Sequence, residues 1–572
     1  MRLLQGGAVY LRDNWINLLC ALALASLALT PSLVPRPTVF QGFLAGLWLM
    51  VGFQLGFALR SLGRVAARRF GPVAPRRQPR ATVPPRSAVR LGLMVGAGVV
   101  AYAVGYGALV MSWQNEVRAL VEMEPIDGPG YLTAFLSMLA TGALCFGIFR
   151  GISGVRALVS RVVARRGASP RAARWVGRGA GLAVTVVLVA ILVGAGLVAV
   201  GQIYEGRDAQ TLAGSGQPTV ATRSGSPQSA LEWDGLGRQG RAFAGGGPSA
   251  ANIGAVTGTA AVEPVRVYAG LSQGANVVER ADLVVEELER AGGFDREVLL
   301  VATPTGSGWL EPQAIASLEY LFGGDTATAS MQYSFQPSWV SFLFDPELAA
   351  DSSRALFDAV YERWEGLPED TRPRLAVYGL SLGAQGMQGS FAGLADLLFR
   401  TDAALFTGPP ANSQPWRTLQ ENRDAGSPVW QPTYQQGRDV RWQSKPGDFG
   451  QLGGEWRQPR LGYLQHATDP ITWLDPAVMI QRPEWLAGPA ATGGRGVDVS
   501  DSMRWIPGVT FLHLVTDMLV SEAVPPSHGH NFGDVAVDGW AQVLPGHGRS
   551  SEQLAAIQSV IERIDTHDPI WE

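Results

Sequence analysis

Gly379, Leu380, Ser381, Leu382 and Gly383 form a G-x-S-x-G run. Alone, this pattern is common and says little. Here it follows directly on Leu375–Tyr378, an apolar and aromatic run that reads as a strand. A helix-compatible stretch containing Gly386 and Gly389 comes next. In that setting the glycines permit a sharp strand-to-helix turn, with the serine hydroxyl exposed above a sheet. The start of a helix also favours negative charge developing beside it. The chemistry expected is nucleophilic attack by Ser381 on an acyl carbonyl.

Such a serine needs a base and an acid to orient the base, expected in the chain order Ser, Asp or Glu, His. All six histidines follow Ser381. His513 sits in Val509–Val520, whose apolar residues recur at helical spacing, so it reads as structural. His466 precedes the best acid candidate and reads as a residue behind the site, while His547 and His567 lie toward the tail. The loop-like run from Pro525 to Phe532 carries His528 and His530. His530 is preferred as the base, with His528 as the alternative. Leu461–Gln465 reads as a strand running into Ala467-Thr468-Asp469-Pro470, which puts Asp469 just past a strand end, where it could hold the imidazole tautomer. Asp517 and Asp475 are the other candidates, though Asp475 before Pro476 also suits a helix cap. For the oxyanion, the backbone N–H of Leu382 is expected to act with one from the Thr303–Trp309 loop, at Thr305 or Gly306.

The elements that must position these groups alternate in type. Short β-branched or aromatic runs at Val265–Tyr268, Val298–Ala302, Ser330–Phe335, Leu375–Tyr378, Ala403–Phe406 and Leu461–Gln465 are separated by helical stretches such as Ala281–Ala291, Pro312–Phe322 and Arg354–Trp364. That alternation predicts a doubly wound, mainly parallel sheet over residues 263–572, with its chemistry at the carboxyl ends of the strands. Residues 205–262 read as a linker and lead-in. Their first part, to about residue 230, is rich in Gly, Ser, Thr, Gln and Ala with no apolar period.

Residues 1–204 have a different character. Five apolar stretches, near Trp15–Val34, Val39–Leu59, Leu91–Trp113, Tyr131–Phe149 and Gly179–Gln202, each approach the roughly 20 residues a membrane helix needs. The first reads as a span rather than a cleaved leader, since it is long and further spans follow. Arginines crowd the connection after the second stretch (Arg60, Arg64, Arg68, Arg69, Arg76, Arg77, Arg80, Arg86, Arg90) and the one after the fourth (Arg150 to Arg178). The connection after the third is acidic, with Glu116, Glu122, Glu124 and Asp127. Basic loops stay in the cytoplasm. Five spans then leave the N-terminus inside and the sheet domain outside. The cores of the stretches carry no Asp, Glu, Lys, Arg or His, which favours an anchor over a transporter. Gly42/Gly46, Gly52/Gly56 and Gly92/Gly96 have the spacing of close helix packing.

The two cysteines, Cys20 and Cys145, both lie in apolar stretches, so the sheet domain has no disulfide, thiol nucleophile or cysteine metal site. No cofactor or metal is expected. The arginines are explained by topology, which argues against a nucleic-acid partner.

Together these motifs resemble a family of bacterial membrane α/β-hydrolases with an N-terminal multi-span domain. The resemblance covers nearly the whole chain. It rests on Tyr268-Ala269-Gly270-Leu271, Thr305-Gly306-Ser307-Gly308-Trp309 and the run from Gln332 to Trp339. The serine turn, Thr407-Gly408-Pro409-Pro410, Asp469-Pro470 and the double-histidine loop complete it. Leu380 departs from the pattern, since similar sequences often carry an acidic residue before the serine. The resemblance implies an α/β-hydrolase domain and a serine mechanism. A membrane-embedded enzyme facing outward would act on a lipid or acylated envelope component. An acyltransferase using the same residues and a silent envelope scaffold are the alternatives.

Overall fold

Five helices open the chain: α1 (Arg2–Leu27), α2 (Thr38–Phe70), α3 (Pro85–Leu120), α4 (Gly128–Arg165) and α5 (Pro170–Asp208). The computed structural model describes residues 2–70, 85–488 and 494–564; Arg76, Arg77, Arg80 and His567 lie outside them. Among the described residues four helices, not the expected five, are long and apolar enough to cross a membrane: α2, α3, α4 and α5. The expected first span, Trp15–Val34, is cut short. Its helix stops at Leu27, ahead of Pro31, Pro35 and Pro37, and its apolar part among the described residues is Asn14–Leu27. Those residues rise about 21 Å, short of a hydrocarbon core of roughly 30 Å. Ser32, Leu33 and Val34 are instead buried in a non-helical segment.

Small residues set the packing of this first unit. Gly52 and Gly56 of α2 lie against the backbone of α1 at Cys20–Ala21 and at Asn17, while Gly42 and Gly46 lie against α4 at Ala134 and at Met138 and Thr141. A side chain at any of the four would push the helices apart. Among the described residues nothing lies within 4 Å of a Cβ at Gly96, so that glycine of the third expected pair makes no close helix contact. Apolar side chains such as Leu182, Val186 and Leu192 of α5 face outward, as a lipid environment requires.

The chain divides into two compact units, Met1–Gly196 with Ser502–Val509, and Leu197–Asp501 with Thr510–Glu572. In the second unit seven strands form one sheet: β1 (Val265–Ala269), β2 (Val298–Thr303), β3 (Thr326–Met331), β4 (Arg374–Leu380), β5 (Ala403–Thr407), β6 (Val440–Gln443) and β7 (Arg460–Leu464). Their order is β1-β3-β2-β4-β5-β7-β6, and every pairing is parallel. Buried on both faces, such strands read as continuous apolar runs, which is why most were visible in the sequence. β3 lies earlier than expected because small polar residues, Thr326 and Thr328, are fully buried within it. β6 was not expected, since Arg441 and Gln443 break its apolar run; Arg441 is satisfied by the carbonyls of Gly437 and Phe449.

Residues 205–262 do not behave as a linker. α5 continues to Asp208, and α6 (Gly237–Gly245) and α7 (Ala250–Thr257) follow. Arg223 and Ser224 are buried, and the backbone of this segment pairs with Arg266 of β1. The polar composition is that of groups bonded inside the fold: Arg223, for example, pairs with Glu263 at 3.0 Å. Helices α8 (Val277–Arg290) and α9 (Pro312–Leu321) contribute to the two faces of the sheet. Arg266 of β1 makes two bonds of 2.7 Å to Glu319 of α9 and one of 2.8 Å to the carbonyl of Phe243 in α6. The core between sheet and helices includes Leu300, Tyr378, Ile315, Leu318 and Trp540.

Candidate active site

The turn after β4 is built by two glycines. A Cβ on Gly379 would meet the carbonyl of Gly383, and one on Gly383 would meet the carbonyl of Thr303 at the end of β2. Between them Ser381 adopts φ 55°, ψ −123°, a strained conformation that a well-packed surrounding must hold in place. Its N–H donates to the carbonyl of Thr407 (2.9 Å), and its own carbonyl accepts from Gln385 (3.1 Å). Leu382 then opens a short helix, α10 (Leu382–Gln388), so its N–H belongs to a first turn that lacks intrahelical partners.

β4, β5 and β7 are neighbours, and the site forms at their carboxyl ends. Asp469 lies past β7. Its Oδ2 bonds Nδ1 of His530 at 2.7 Å, and both side chains are fully buried. The Ile471 N–H (2.9 Å) and the Thr472 hydroxyl (3.2 Å) also donate to this carboxylate. The imidazole packs on Gly408 just past β5, where a Cβ would come within 2.5 Å of His530 Cε1. Since Ser381 is bonded to Thr407, serine and imidazole sit on adjacent residues of one strand end. His530 Nε2 has no hydrogen-bond partner among the described residues, and Ser381 is 5 % exposed. Burial works against the charged imidazolium of His530. The Asp469 carboxylate, by charge and by hydrogen bond, outweighs it together with Glu522 and Glu311, so His530 titrates above the ordinary histidine value.

His528 belongs to a second pair. Its Nδ1 lies 3.0 Å from Oδ2 of Asp498, a residue the sequence reading did not single out. Thr468 joins the two pairs: its hydroxyl donates to Asp498 (3.1 Å) and accepts from the Gly529 N–H (2.9 Å), while its neighbour Asp469 holds His530. His466 stacks on Phe532 at 4.1 Å with Nδ1 3.0 Å from the Gly529 carbonyl, and so lies behind the histidine loop. His513 and Asp517 are buried on the helix Val509–Met518. Asp475 caps a helical turn, accepting from Ala477 at 2.7 Å.

The loop after β2 is tight. The Thr305 N–H donates to the Trp309 carbonyl (2.9 Å), and the Gly306 N–H donates to the Ser338 hydroxyl (3.2 Å). A cleft with about 320 Å³ of space, partly open to solvent, is lined by Trp309, Glu311, Leu380, Glu522, His530 and residues of the histidine loop. Glu311 is buried and accepts from the Tyr378 hydroxyl at 2.7 Å. It too was missed, because a glutamate before Pro312 looks like any helix entry. Trp309 lines the cleft, whereas Trp416 is buried with its indole N–H on Gln465 (2.8 Å).

Two family profiles match the chain. That of an alpha/beta-hydrolase family matches residues 265–557, and that of an alpha/beta-hydrolase family N-terminus matches residues 29–248. No curated protein and no solved structure matches it.

Proposed function

The chain belongs to the alpha/beta-hydrolase family, and from that premise we propose that it is a membrane-anchored serine hydrolase cleaving an ester or related acyl bond in a lipid or acylated envelope component. The observation that carries this reading is the buried Asp469–His530 pair, its outer ring nitrogen unpartnered, beside the strained turn at Ser381. In the proposed reaction Ser381 Oγ attacks the acyl carbon and His530 Nε2 takes the hydroxyl proton. Asp469 holds the tautomer and stabilises the imidazolium. The tetrahedral oxyanion accepts from the N–H of Leu382 and from the N–H of Gly306, which exchanges its Ser338 partner for the substrate. Thr305 keeps its own N–H in the turn that positions Gly306. His530 returns the proton to the leaving alcohol as the carbon–oxygen bond breaks, and water then resolves the acyl-enzyme by the same steps in reverse.

The catalytic unit is proposed to face outward. With four spans, the arginine-rich connections α2–α3 and α4–α5 both lie in the cytoplasm by the positive-inside rule, so the chain leaves α5 on the outer side. This does not depend on α1, which decides only the side of the N-terminus.

The test is labelling of the detergent-solubilised protein by a fluorophosphonate. Wild type should label, Ser381→Ala should not, and His530→Ala should lose far more rate than His528→Ala. Folded wild type that stays unlabelled would favour a silent scaffold.

A further inference from the structure

A second cleft, with about 230 Å³ of space partly open to solvent, opens in the same unit between the last turn of α5 and the start of α6. Tyr204, Arg207, Asp208, Arg238 and Ser307 are among its lining residues. Arg241 stands behind the cleft and donates to the carbonyls of Asp208 (2.7 Å), Gln210 (2.8 Å) and Asp234 (3.2 Å). Asp208 is committed: its Oδ1 accepts from the Arg238 backbone N–H and from Gln332, both at 3.1 Å. Arg207 and Arg238 therefore bring two guanidinium groups to a cleft whose lining carboxylate is already bonded. Nε of Arg238 is buried without a hydrogen-bond partner among the described residues. A planar guanidinium with unfilled donors suits the oxygens of a phosphate.

Position along the chain says where such a phosphate would come from. The apolar stretch of α5 closes at Ile203, and Arg207 follows it by four residues, a rise of about 6 Å. That matches the depth of one headgroup layer, roughly 5–7 Å. Tyr204, under the Arg207 guanidinium at 5.6 Å, is the aromatic type found at that level. The cleft also adjoins the reaction site through one loop. Ser307 lines it, whereas Trp309, two residues and at most about 7 Å further on, lines the cleft of His530.

We propose that this cleft is a subsite for the phosphate of an anionic lipid headgroup, holding a membrane lipid so that its acyl ester reaches Ser381. It rests on the hydrolase reading of that serine. The test uses full-length protein carrying Ser381→Ala, so that nothing is turned over, in an uncharged detergent. It is titrated calorimetrically with dihexanoyl phosphatidic acid, inorganic phosphate and dihexanoylglycerol. The phosphatidic acid should bind, dihexanoylglycerol should not, and Arg207→Gln with Arg238→Gln should weaken binding about tenfold or more, the scale of a lost charge-assisted bond. Inorganic phosphate binding as tightly as the lipid would overturn the lipid assignment. Unchanged affinity in a double variant that melts like its parent would overturn the site, as would no binding to the parent. Should the double variant misfold, Ser307→Ala and Arg238→Lys must each weaken binding. Fluorophosphonate labelling of wild type is read separately, so failure of the hydrolase reading and failure of the subsite give different results.

Discussion

At Asp469 and His530, burial and charge pull in opposite directions. Losing water disfavours the imidazolium, and the adjacent carboxylate restores it with a margin, leaving His530 protonated above the free-histidine value of about 6.5. As a base His530 must be neutral, so the acid limb of the labelling rate should fall above about pH 6.5. Asp469→Asn should move that limb to lower pH and reduce the rate on the order of 10⁴-fold, because the imidazole loses both its tautomer control and its counter-charge. A limb that stays in place in the asparagine variant would show that another group governs it. The stability effect has the opposite pH sense. A histidine with a raised folded value contributes its full stabilisation below the unfolded value, and that contribution fades as pH rises through the folded one. His528 with Asp498 forms a second buried pair beside the first, so its removal tests positioning more than proton transfer.

Among the elements, the turn from β4 into α10 has the least room. Gly383 lies against the carbonyls of Thr303 and Pro304, main-chain atoms of β2 and its loop that cannot rotate away. Gly383→Ala should therefore destabilise the second unit by about 3 kcal/mol, the upper end of overpacking costs, and lower its thermal midpoint. An unchanged midpoint would mean that the strands can part to admit a methyl group. The same register couples stability to chemistry. β2 supplies both the wall against Gly383 and the loop carrying Thr305 and Gly306, so a shift of that wall would also move the proposed oxyanion donors. Further along the sheet, Arg266 and Glu319 tie β1 to α9. Their side chains are 4 % and 1 % exposed, so neither charge tolerates loss of its partner.

For the whole molecule, the arrangement of charge along the chain predicts an orientation. Arg166 follows α4 in one arginine-rich connection, while Glu369 is exposed in the second unit. In a chain with Cys20 and Cys145 replaced by serine, a membrane-impermeant maleimide should label Glu369→Cys in intact cells. Arg166→Cys should react only after permeabilisation. The reverse pattern would put the hydrolase unit in the cytoplasm and remove the envelope from the list of its substrates. An outward-facing unit without a disulfide must rely on its core, and seven parallel strands buried between helices provide one.

Much of this architecture was legible because it is local. Continuous apolar runs mark parallel strands, and twenty apolar residues mark a span. Two glycines around a serine at a strand end mark a sharp turn, and glycines four apart mark close helix packing at Gly42/Gly46 and Gly52/Gly56. Each signal lies within a few residues of the feature it describes. What tertiary structure alone decided is non-local. Asp469 meets His530 across 61 residues, and Asp498, with no local mark, meets His528 across 30. Nothing near either aspartate says which histidine it will face, since that depends on which strand ends lie side by side. Polar segments misled for the same reason. β6 and residues 205–262 look irregular until the partners of Arg441 and Arg223 arrive from elsewhere in the fold. The first helix misled in the other direction: its composition suits a span, but where it stops is set by backbone geometry around three prolines, and hydropathy does not measure that.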